Sequence, residues 1–323
     1  MRILCLYKLL CLPTANWQNQ GKERCKMIIL DIGAGLGNQM FMYAFGRAQS
    51  LRYNEKLYLD ISAFRGDPLR NYTLDKLSLP KEVEFVSEHK LLSLEYHLKK
   101  YWYLIRMKLE KADRCKTETV LKYADSGFFS VNSRKYVEPI YAGKYINYYS
   151  GMFQSEHYFK DYEGIIRDEL KVGAPVSKEC IELKKILEEC NSVCVHIRRG
   201  DYLKKQLYCV CDEEYFDEAI DLMKSKVSDA RFFFFSDDPE WVSQKYQGDE
   251  YTVVDMNNQD YEDLFLMYHC KHFIISNSTF SWWAQYLSEN KKKIVIAPSH
   301  WYNGLPADAT DIYMNTWITV GEK

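Results

Sequence analysis

The feature that most constrains the fold is a regular alternation of apolar runs with amphipathic segments in the second half of the chain. The runs are rich in β-branched and aromatic residues and predict strands at residues 193–197, 231–235, 251–254, 272–276 and 293–297. Between them, apolar residues at helical spacing predict helices at residues 213–227, 239–246, 259–269 and 279–287. Alternating strands and helices form parallel, doubly wound sheets whose strand ends share one edge. The sequence therefore predicts an α/β fold with its ligand site along that edge.

The first half of the chain begins in the same way. Residues 27–32 and 56–60 predict strands, and between them lie a tight loop at 33–37 and an amphipathic helix at 38–52. We also expect a long helix at 87–112, strands and loops at 113–150, and helical structure at 155–170. The chain is accordingly divided into a non-structural extension (1–26), an N-terminal α/β domain (27–150) and a C-terminal α/β domain (151–323).

Composition and charge exclude several classes of protein. The 323 residues carry a net charge of −2, so no overall basic field attracts nucleic acid. No apolar run has the ~18 residues that a membrane-spanning helix needs. Ten cysteines without C-x-x-C or zinc-site spacing indicate reduced thiols in a cytoplasmic protein. A basic, aromatic stretch at 99–116 predicts either a solvated helix face or a contact with a membrane surface or an acceptor.

Two adjacent arginines carry the first chemical signal. In the segment HIRRGDY at residues 196–202, Arg198 and Arg199 follow a predicted buried strand and begin a loop. A guanidinium keeps its charge and matches phosphate oxygens in its planar geometry. The pattern indicates a pyrophosphate clamp. The alternative is a surface ion pair with Asp201 beside a turn.

A glycine-rich loop after the first strand carries the second signal. The segment GAGLGNQ at residues 33–39 lets backbone approach a ligand closely at Gly35, but it is one residue short of the dinucleotide-binding spacing. Asn38 and Gln39 offer neutral amides that suit sugar hydroxyls, and they are also acceptable residues at a helix start. Asp60 could take the place of a ribose-binding acid, which keeps a nicotinamide-dependent oxidoreductase open as an alternative.

The third signal is a hydroxyl-rich turn that begins a helix. Asn277, Ser278 and Thr279 follow a predicted strand, and the free N–H groups of a helix start bind anions. Ser and Thr are also ordinary N-caps. Asp263, on the preceding helix, could accept hydrogen bonds from guanine or be a plain surface charge.

Paired acids follow the strand at 231–235. Asp237 and Asp238 could bind a metal ion, but Pro239 after them favours a helix cap. The chain contains no Asp-x-Asp sequence, which weakens a metal-held nucleotide-sugar mechanism. We expect no metal site.

Four segments together resemble the α-1,2-fucosyltransferases of bacterial type, which are GDP-fucose-dependent enzymes of glycosyltransferase family 11. The segments lie in the family's order at residues 33–41, 151–159, 196–202 and 276–283. The resemblance implies a GT-B-like fold, with two Rossmann-like doubly wound domains facing a cleft. It also implies a donor site in the C-terminal half, an acceptor site largely in the N-terminal half, and inverting transfer with no cofactor besides the donor substrate GDP-fucose.

The resemblance also assigns roles to matched residues. Arg198 would hold the β-phosphate, with Arg199 beside it in the same motif. His196 and Asp263 would contact guanine. Ser278 and Thr279 would line the pyrophosphate. Asp201 is our candidate general base, or it orients the arginines instead; the family motifs do not identify the base.

The resemblance thus implies transfer of L-fucose to the 2-hydroxyl of a terminal β-galactoside in surface polysaccharide synthesis. The expected partners are GDP-fucose and a galactose-terminated oligosaccharide, with no nucleic acid. The expected localisation is cytoplasmic, with the protein bound peripherally at the inner face of the membrane. Two alternatives stay open at this point: the oxidoreductase, and a non-catalytic glycan-binding protein suggested by 26 tyrosines and 7 tryptophans.

Overall fold

The computed structural model describes residues 26–65, 70–114, 116–200 and 202–321. In that part of the chain, the first sheet has five parallel strands in the order β3-β2-β1-β5-β4. They are β1 (Met27–Asp31), β2 (Lys56–Asp60), β3 (Glu84–Phe85), β4 (Phe128–Ser130) and β5 (Ile146–Ser150). Strand β1 is central and buried, as its run of Met, Ile and Leu predicts.

The second described sheet has six parallel strands in the order β8-β7-β6-β9-β10-β11. They are β6 (Asn191–Ile197), β7 (Ala230–Ser236), β8 (Tyr251–Val253), β9 (His272–Ile274), β10 (Val295–Pro298) and β11 (Ile318–Val320). Numbered from β6, this is the strand order 3-2-1-4-5-6 of the Rossmann fold, whose direction reverses between β6 and β9. The predicted fold class, α/β with two doubly wound sheets in a GT-B-like arrangement, is confirmed.

Nine α-helices connect the strands in the described residues. They are α1 (Leu36–Tyr53), α2 (Lys90–Leu109), α3 (Thr117–Ala124), α4 (Glu163–Glu169), α5 (Lys178–Glu189), α6 (Glu213–Lys226), α7 (Pro239–Lys245), α8 (Asp260–Tyr268) and α9 (Thr279–Leu287). Four of them begin at a side-chain cap: Ser177, Asp212, Asp238 and Ser278 each accept a hydrogen bond from a backbone N–H of the first turn. The caps at Asp238 and Ser278 were predicted from the sequence. None of the described helices is both long and apolar enough to cross a membrane.

The structure corrects several predicted elements. Helix α1 starts at Leu36, inside the predicted glycine loop, and it is buried on nearly all sides rather than amphipathic. The single helix expected at 155–170 is two 3-10 turns (Glu156–Tyr158 and Lys160–Tyr162) followed by the short α4. Helices α3 and α5 and strand β11 were not predicted, because each is short or follows a turn-rich stretch with weak periodicity.

Helix α1 is buried because it packs between the two halves of the molecule. Its Phe41 ring lies 4.6 and 4.9 Å from the rings of Trp282 and Trp283 on α9. The indole N–H of Trp283 donates to the carbonyl of Gly37 over 3.0 Å. These contacts join the start of α1 to the start of α9, so one apolar core connects the two halves.

The strands of the first sheet lie within the predicted N-terminal domain and those of the second within the predicted C-terminal domain. The boundary at 150/151 itself stays a prediction, because the segment after β5 packs on α1: Phe153 stacks on Phe45 at 3.7 Å, and Glu169 accepts hydrogen bonds from Arg47. The predicted extension falls, apart from Lys26, outside the described residues.

Candidate functional site

A cleft of about 910 Å³ lies where the two sheets face each other. In the second half it is lined by the segments that follow β6 and β9, the two strands between which the strand order reverses. In the first half it is lined by the segments that follow β1 and β5, which also flank a reversal. Ligands of open α/β sheets bind at such reversals. All four motif segments therefore contribute to one cleft.

The N-terminus of α9 forms the centre of the second-half wall. Ser278 caps the helix through its hydroxyl, and Ser278, Thr279 and Phe280 all line the cleft. The first-turn N–H groups of a helix have no intrahelical acceptor and carry partial positive charge. The predicted cap and the predicted anion site thus occupy the same turn.

Asn277 contributes mainly by holding loops together. Its side-chain N–H groups donate to the carbonyls of Tyr208 and Trp301 at 3.1 and 3.0 Å, and the side chain is nearly completely buried. The residue lines the cleft, but its amide is engaged in the protein. A direct contact between that amide and a ligand, as predicted, would require these bonds to break.

Arg198 lies in the cleft, at the point where β6 ends. Its Nε is 3.2 Å from Oδ2 of Asp237, and its guanidinium carbon is 5.7 Å from the centre of the Tyr202 ring. Asp237 also accepts a hydrogen bond from the backbone N–H of Arg199 at 2.8 Å. The Asp237 carboxylate orients the Arg198 guanidinium at the end of β6, and a guanidinium is a group that binds anions through its N–H donors.

Arg199 is not among the residues that line the cleft, and its assignment as a substrate-binding residue stays a prediction. Its Nε pairs with Asp238 at 3.0 Å, and its guanidinium lies 3.9 Å from the centre of the Trp241 ring. Successive residues of extended backbone point to opposite sides, so two adjacent arginines at a strand end take different environments. Arg199 fastens α7 to the end of β6.

The two adjacent acids are both engaged by protein groups. Asp238 caps α7 by accepting from the N–H of Trp241, as the Asp-Pro sequence predicts, and Asp237 pairs with Arg198. Among the described residues, no group of three or more His, Cys, Asp or Glu side chains is placed to hold a metal ion.

His196 is a buried, neutral member of the cleft wall. Its Nδ1 is 3.0 Å from the hydroxyl of Ser276 on the neighbouring chain segment. Burial, together with the charge of Arg198, lowers the pKa of His196 to about 3. With Nδ1 engaged, Nε2 is the ring nitrogen through which this side chain could contact a nucleotide, and it would do so without a charge.

Asp263 lies in the same cleft, on the first turn of α8. Burial raises the pKa of Asp263 to about 6, although the side-chain amide of Asn258 donates to it at 2.9 Å. Asp260, the first residue of the same helix, also lines the cleft, and burial raises its pKa as well. A buried acid that is held by one neutral donor retains acceptor capacity for a ligand.

The first-half wall is built around the start of α1. Gly35 is the N-cap residue of α1 and lines the cleft, and so does Asn38. The side-chain amide of Gln154, from the segment after β5, donates to Oδ1 of Asn38 at 2.7 Å. Both predicted residues therefore lie at the site.

Gln39 is not among the residues that line the cleft, and its role as a substrate-binding residue stays a prediction. Its side chain is fully buried, donates to the carbonyls of Ala34 and Asn71, and accepts from the N–H of Thr73. The residue holds the 71–73 loop against the glycine-rich loop. Asn71 and Thr73, which it positions, line the cleft instead.

The structure adds cleft residues that sequence reasoning missed. Two are cations of the first half, Arg70 and Lys76, and Lys205 comes from the second. A Cβ on Gly35 would lie 2.7 Å from Nη1 of Arg70, so this arginine crosses the glycine-rich loop. The aromatic residues missed include Tyr202, Tyr208, Trp301 and Tyr302. Tyr202 stood in the quoted arginine motif, but Arg70 and Lys76 lie in a stretch without a periodic signal.

Asp201 and Asp60 are two further residues with a possible role predicted from the sequence. Asp201, the candidate base, falls outside the described residues, so its role stays a prediction. Asp60 is buried and accepts hydrogen bonds from Tyr96 and Lys100 at 2.8 and 2.9 Å, and Lys100 holds its pKa below the usual range against the effect of burial. Asp60 is therefore unavailable to bind the hydroxyls of a ribose. The hypothesis of a nicotinamide-dependent oxidoreductase no longer has an acidic residue for that contact.

Known proteins resemble this chain over most of its length. A model of the family described as Glycosyl transferase family 11 matches residues 27–321. An alpha-1,2-colitosyltransferase of Escherichia coli is 29% identical over 91% of this chain and 99% of its own length. The O-antigen biosynthesis glycosyltransferase WbnK of Escherichia coli is 27% identical over 90% of this chain and 99% of its own.

More distant similarities were also found. A galactoside 2-alpha-L-fucosyltransferase of Caenorhabditis elegans is 32% identical, over 44% of this chain and 42% of its own. Among solved structures, the fucosyltransferase NodZ from Bradyrhizobium superposes with a TM-score of 0.45 at 14% identity, covering 80% of this chain and 92% of its own.

Proposed function

Because the chain belongs to glycosyltransferase family 11, we propose that it transfers L-fucose from GDP-β-L-fucose to the 2-hydroxyl of a terminal β-galactoside, with inversion at the anomeric carbon. The observation that carries the proposal is the position of Arg198 and the N-terminus of α9 on one wall of the cleft, with Asp263 in the same cleft. These groups suit guanosine diphosphate. A non-catalytic glycan-binding protein would not need an anion site of this kind.

The leaving group is where the protein acts most directly. Cleavage of the sugar–phosphate bond leaves negative charge on GDP. A guanidinium fixed by Asp237 and the N–H groups of α9 stabilise that charge more in the transition state than in the ground state. No metal is needed in this scheme, because positive charge is supplied by the side chain and the helix.

Nucleotide recognition follows from the neutral and acidic groups beside that anion site. The Asp263 carboxylate can accept from the N1–H and the exocyclic amine of guanine, which adenine does not offer. His196 is neutral and can exchange a hydrogen bond through Nε2.

The acceptor would enter from the first-half wall. Asn38 and Gln154, linked by their hydrogen bond, present neutral polar groups that suit sugar hydroxyls. The acceptor hydroxyl must lose its proton, and Asp201, next to the arginine pair in sequence, stays our candidate for that step or for orienting Arg198.

Colitose is a second candidate for the transferred sugar, because the E. coli relative that matches over 91% of this chain bears that activity in its name. The proposed setting is surface polysaccharide synthesis in the cytoplasm, at the membrane. The relative named for O-antigen biosynthesis and the free thiols of the described cysteines support this setting.

The test is incubation of the purified protein with GDP-fucose, the GDP-linked form of colitose and GDP-mannose, each against a panel of β- and α-galactosides. The proposal predicts a fucosylated product of the β-galactosides, with the new linkage at the 2-hydroxyl by NMR. Transfer of colitose but not fucose would show that the proposed donor sugar is wrong. The proposed GDP-binding residues would be unaffected by that result. GDP binding without transfer to any galactoside would refute the proposed acceptor.

A further inference from the structure

The outer face of helix α2 carries an exposed apolar stripe that the proposed transfer reaction does not use. Its members are Leu94, Leu98, Tyr101, Trp102 and Leu109, whose exposed fractions range from 42 to 79%. Their spacing is helical, so they form one continuous band along the 20-residue helix, which we call the outer stripe. Apolar bands of this length on a surface mark contact sites.

The opposite face of the same helix is firmly anchored, so the outer stripe cannot simply turn inward. Tyr96, Tyr103 and Met107 are buried against the first sheet. Lys100, on the same side, pairs with Asp31 and Asp60 at 2.6 and 2.9 Å, at the ends of β1 and β2. Helix α2 therefore has two apolar faces. The inner face packs on the first sheet, and the outer stripe is exposed.

The charge around the outer stripe is positive. Residues 90–122 contain nine Lys and Arg against four Asp and Glu. Without Lys100, which is paired with Asp31 and Asp60 on the inner face, the net charge of this segment is +4 in a chain whose total is −2. Lys99 and Arg106 flank the stripe and form i,i+4 pairs with Glu95 and Glu110, which leaves the region with a positive excess. Exposed apolar and aromatic residues between basic ones are the pattern of helices that lie in the interface of an anionic bilayer.

The position of α2 leaves the cleft open. Its buried residues pack with Met27, Ile29 and Tyr148, on one face of the first sheet. Helix α1 packs on the other face, with Ile28 and Leu30, and it is α1 that meets the second half. A surface bound to the outer stripe would therefore lie on the far side of the first sheet from α9.

We propose that the outer stripe of α2 docks the protein on an anionic lipid surface. Trp102 and Tyr101 would sit at the headgroup level, the leucines would enter the acyl boundary, and the basic residues of 90–122 would contact lipid phosphates. A second copy of the chain is disfavoured as the occupant, because a symmetric contact would place two regions of net positive charge against each other.

The experiment is sedimentation of the full chain with vesicles of equal parts phosphatidylglycerol and phosphatidylcholine, and with phosphatidylcholine alone. The test variant carries Leu98→Glu and Trp102→Glu. A matched control carries Ile181→Glu and Ile186→Glu, two residues of α5 with exposures of 45 and 43%, so the charge change is the same. A cooperative thermal unfolding transition within a few degrees of the wild-type one verifies that every variant folds.

We expect the wild-type chain to bind the anionic vesicles and to release them at high salt. The α2 variant should bind at least about tenfold more weakly, and the α5 control should stay within about twofold of wild type. Equal loss in both variants, or unchanged binding of the α2 variant, overturns the proposal. Equal binding to both lipid compositions would contradict the proposal that the stripe prefers an anionic lipid surface.

Self-association is the remaining outcome. If the wild-type chain ignores vesicles but forms dimers in sedimentation velocity, and the α2 variant is monomeric, the outer stripe is an interface between copies and the lipid proposal is wrong. None of these measurements uses sugar transfer, so their result is independent of the proposed activity.

Discussion

Gly37 and Thr279 are in direct contact across the two halves of the molecule. A Cβ placed on Gly37 would lie 2.6 Å from the carbonyl carbon of Thr279 and 2.7 Å from its Oγ1. The third glycine of the loop is therefore required by the approach of α1 to α9, in a loop whose sequence suggested a dinucleotide site. The same approach places Gly35 and Ser278 in one cleft.

The first prediction follows from this contact. Gly37→Ala should destabilise the fold by about 1–3 kcal/mol and lower turnover, because the overlapping atoms include backbone that cannot move away independently. Gly164→Ala is the matched control, since nothing lies within 4 Å of the added Cβ on α4. Urea unfolding of both variants measures the difference, and equal stabilities would contradict the close packing.

The second prediction separates the two arginines. Arg198→Lys keeps the charge but loses the planar guanidinium, and turnover should fall at least about 100-fold, the scale of one lost transition-state contact. Arg199→Lys should leave turnover within about threefold and lower the melting temperature instead, since Arg199 holds Asp238 and Trp241. Steady-state kinetics with calorimetric melting decides between them. If Arg199→Lys lowered turnover and Arg198→Lys lowered only the melting temperature, Arg199 would be the residue that acts on the diphosphate and Arg198 the structural one.

The third prediction concerns pH. The pKa of Asp263 is raised to about 6, and guanine recognition uses its carboxylate form, so GDP affinity should fall as pH decreases through 6. ADP affinity should fall less over the same range, because only protonation of the terminal phosphate, which both nucleotides share, weakens its binding. Titration calorimetry with both nucleotides, at pH values on either side of 6, measures it. The same step for both nucleotides would place the titrating group elsewhere.

Asp263→Asn gives a second measurement on the same residue. Above pH 6 the native protein carries a buried carboxylate that the unfolded chain ionises more readily, so this charge costs stability at neutral pH. The amide should therefore raise the melting temperature near neutral pH while weakening GDP binding. Asn258 can still donate to the amide oxygen. A loss of both stability and affinity would indicate a structural role.

The fourth prediction concerns metal ions. Transfer should retain most of its rate in EDTA, because Arg198 and α9 supply the positive charge and both adjacent acids are engaged with arginines. Restoration of a lost activity by Mg²⁺ or Mn²⁺ would instead make Asp237 and Asp238 candidate ligands.

The sequence by itself determined the α/β class and the position of the donor-side motifs. Strand and helix periodicity and cap chemistry are local properties, so β2 and α9 were predicted at the residues where they occur, Lys56–Asp60 and Thr279–Leu287. The carboxyl ends of parallel strands share an edge, which is why His196, Arg198, Asp263, Ser278 and Thr279 could be assigned to one site from their places in the chain.

Tertiary structure alone decided which side chains face the cleft and which hold it together. Gln39 and Arg199 adjoin cleft residues in sequence, yet their partners come from a distant loop and from α7. Arg70 reaches the site because its loop crosses the glycine-rich one. The outer stripe of α2 became visible only when Tyr96 and Met107 were seen to occupy the inner face. Periodicity marks an apolar face, but the elements that pack on it depend on contacts between residues far apart in the chain.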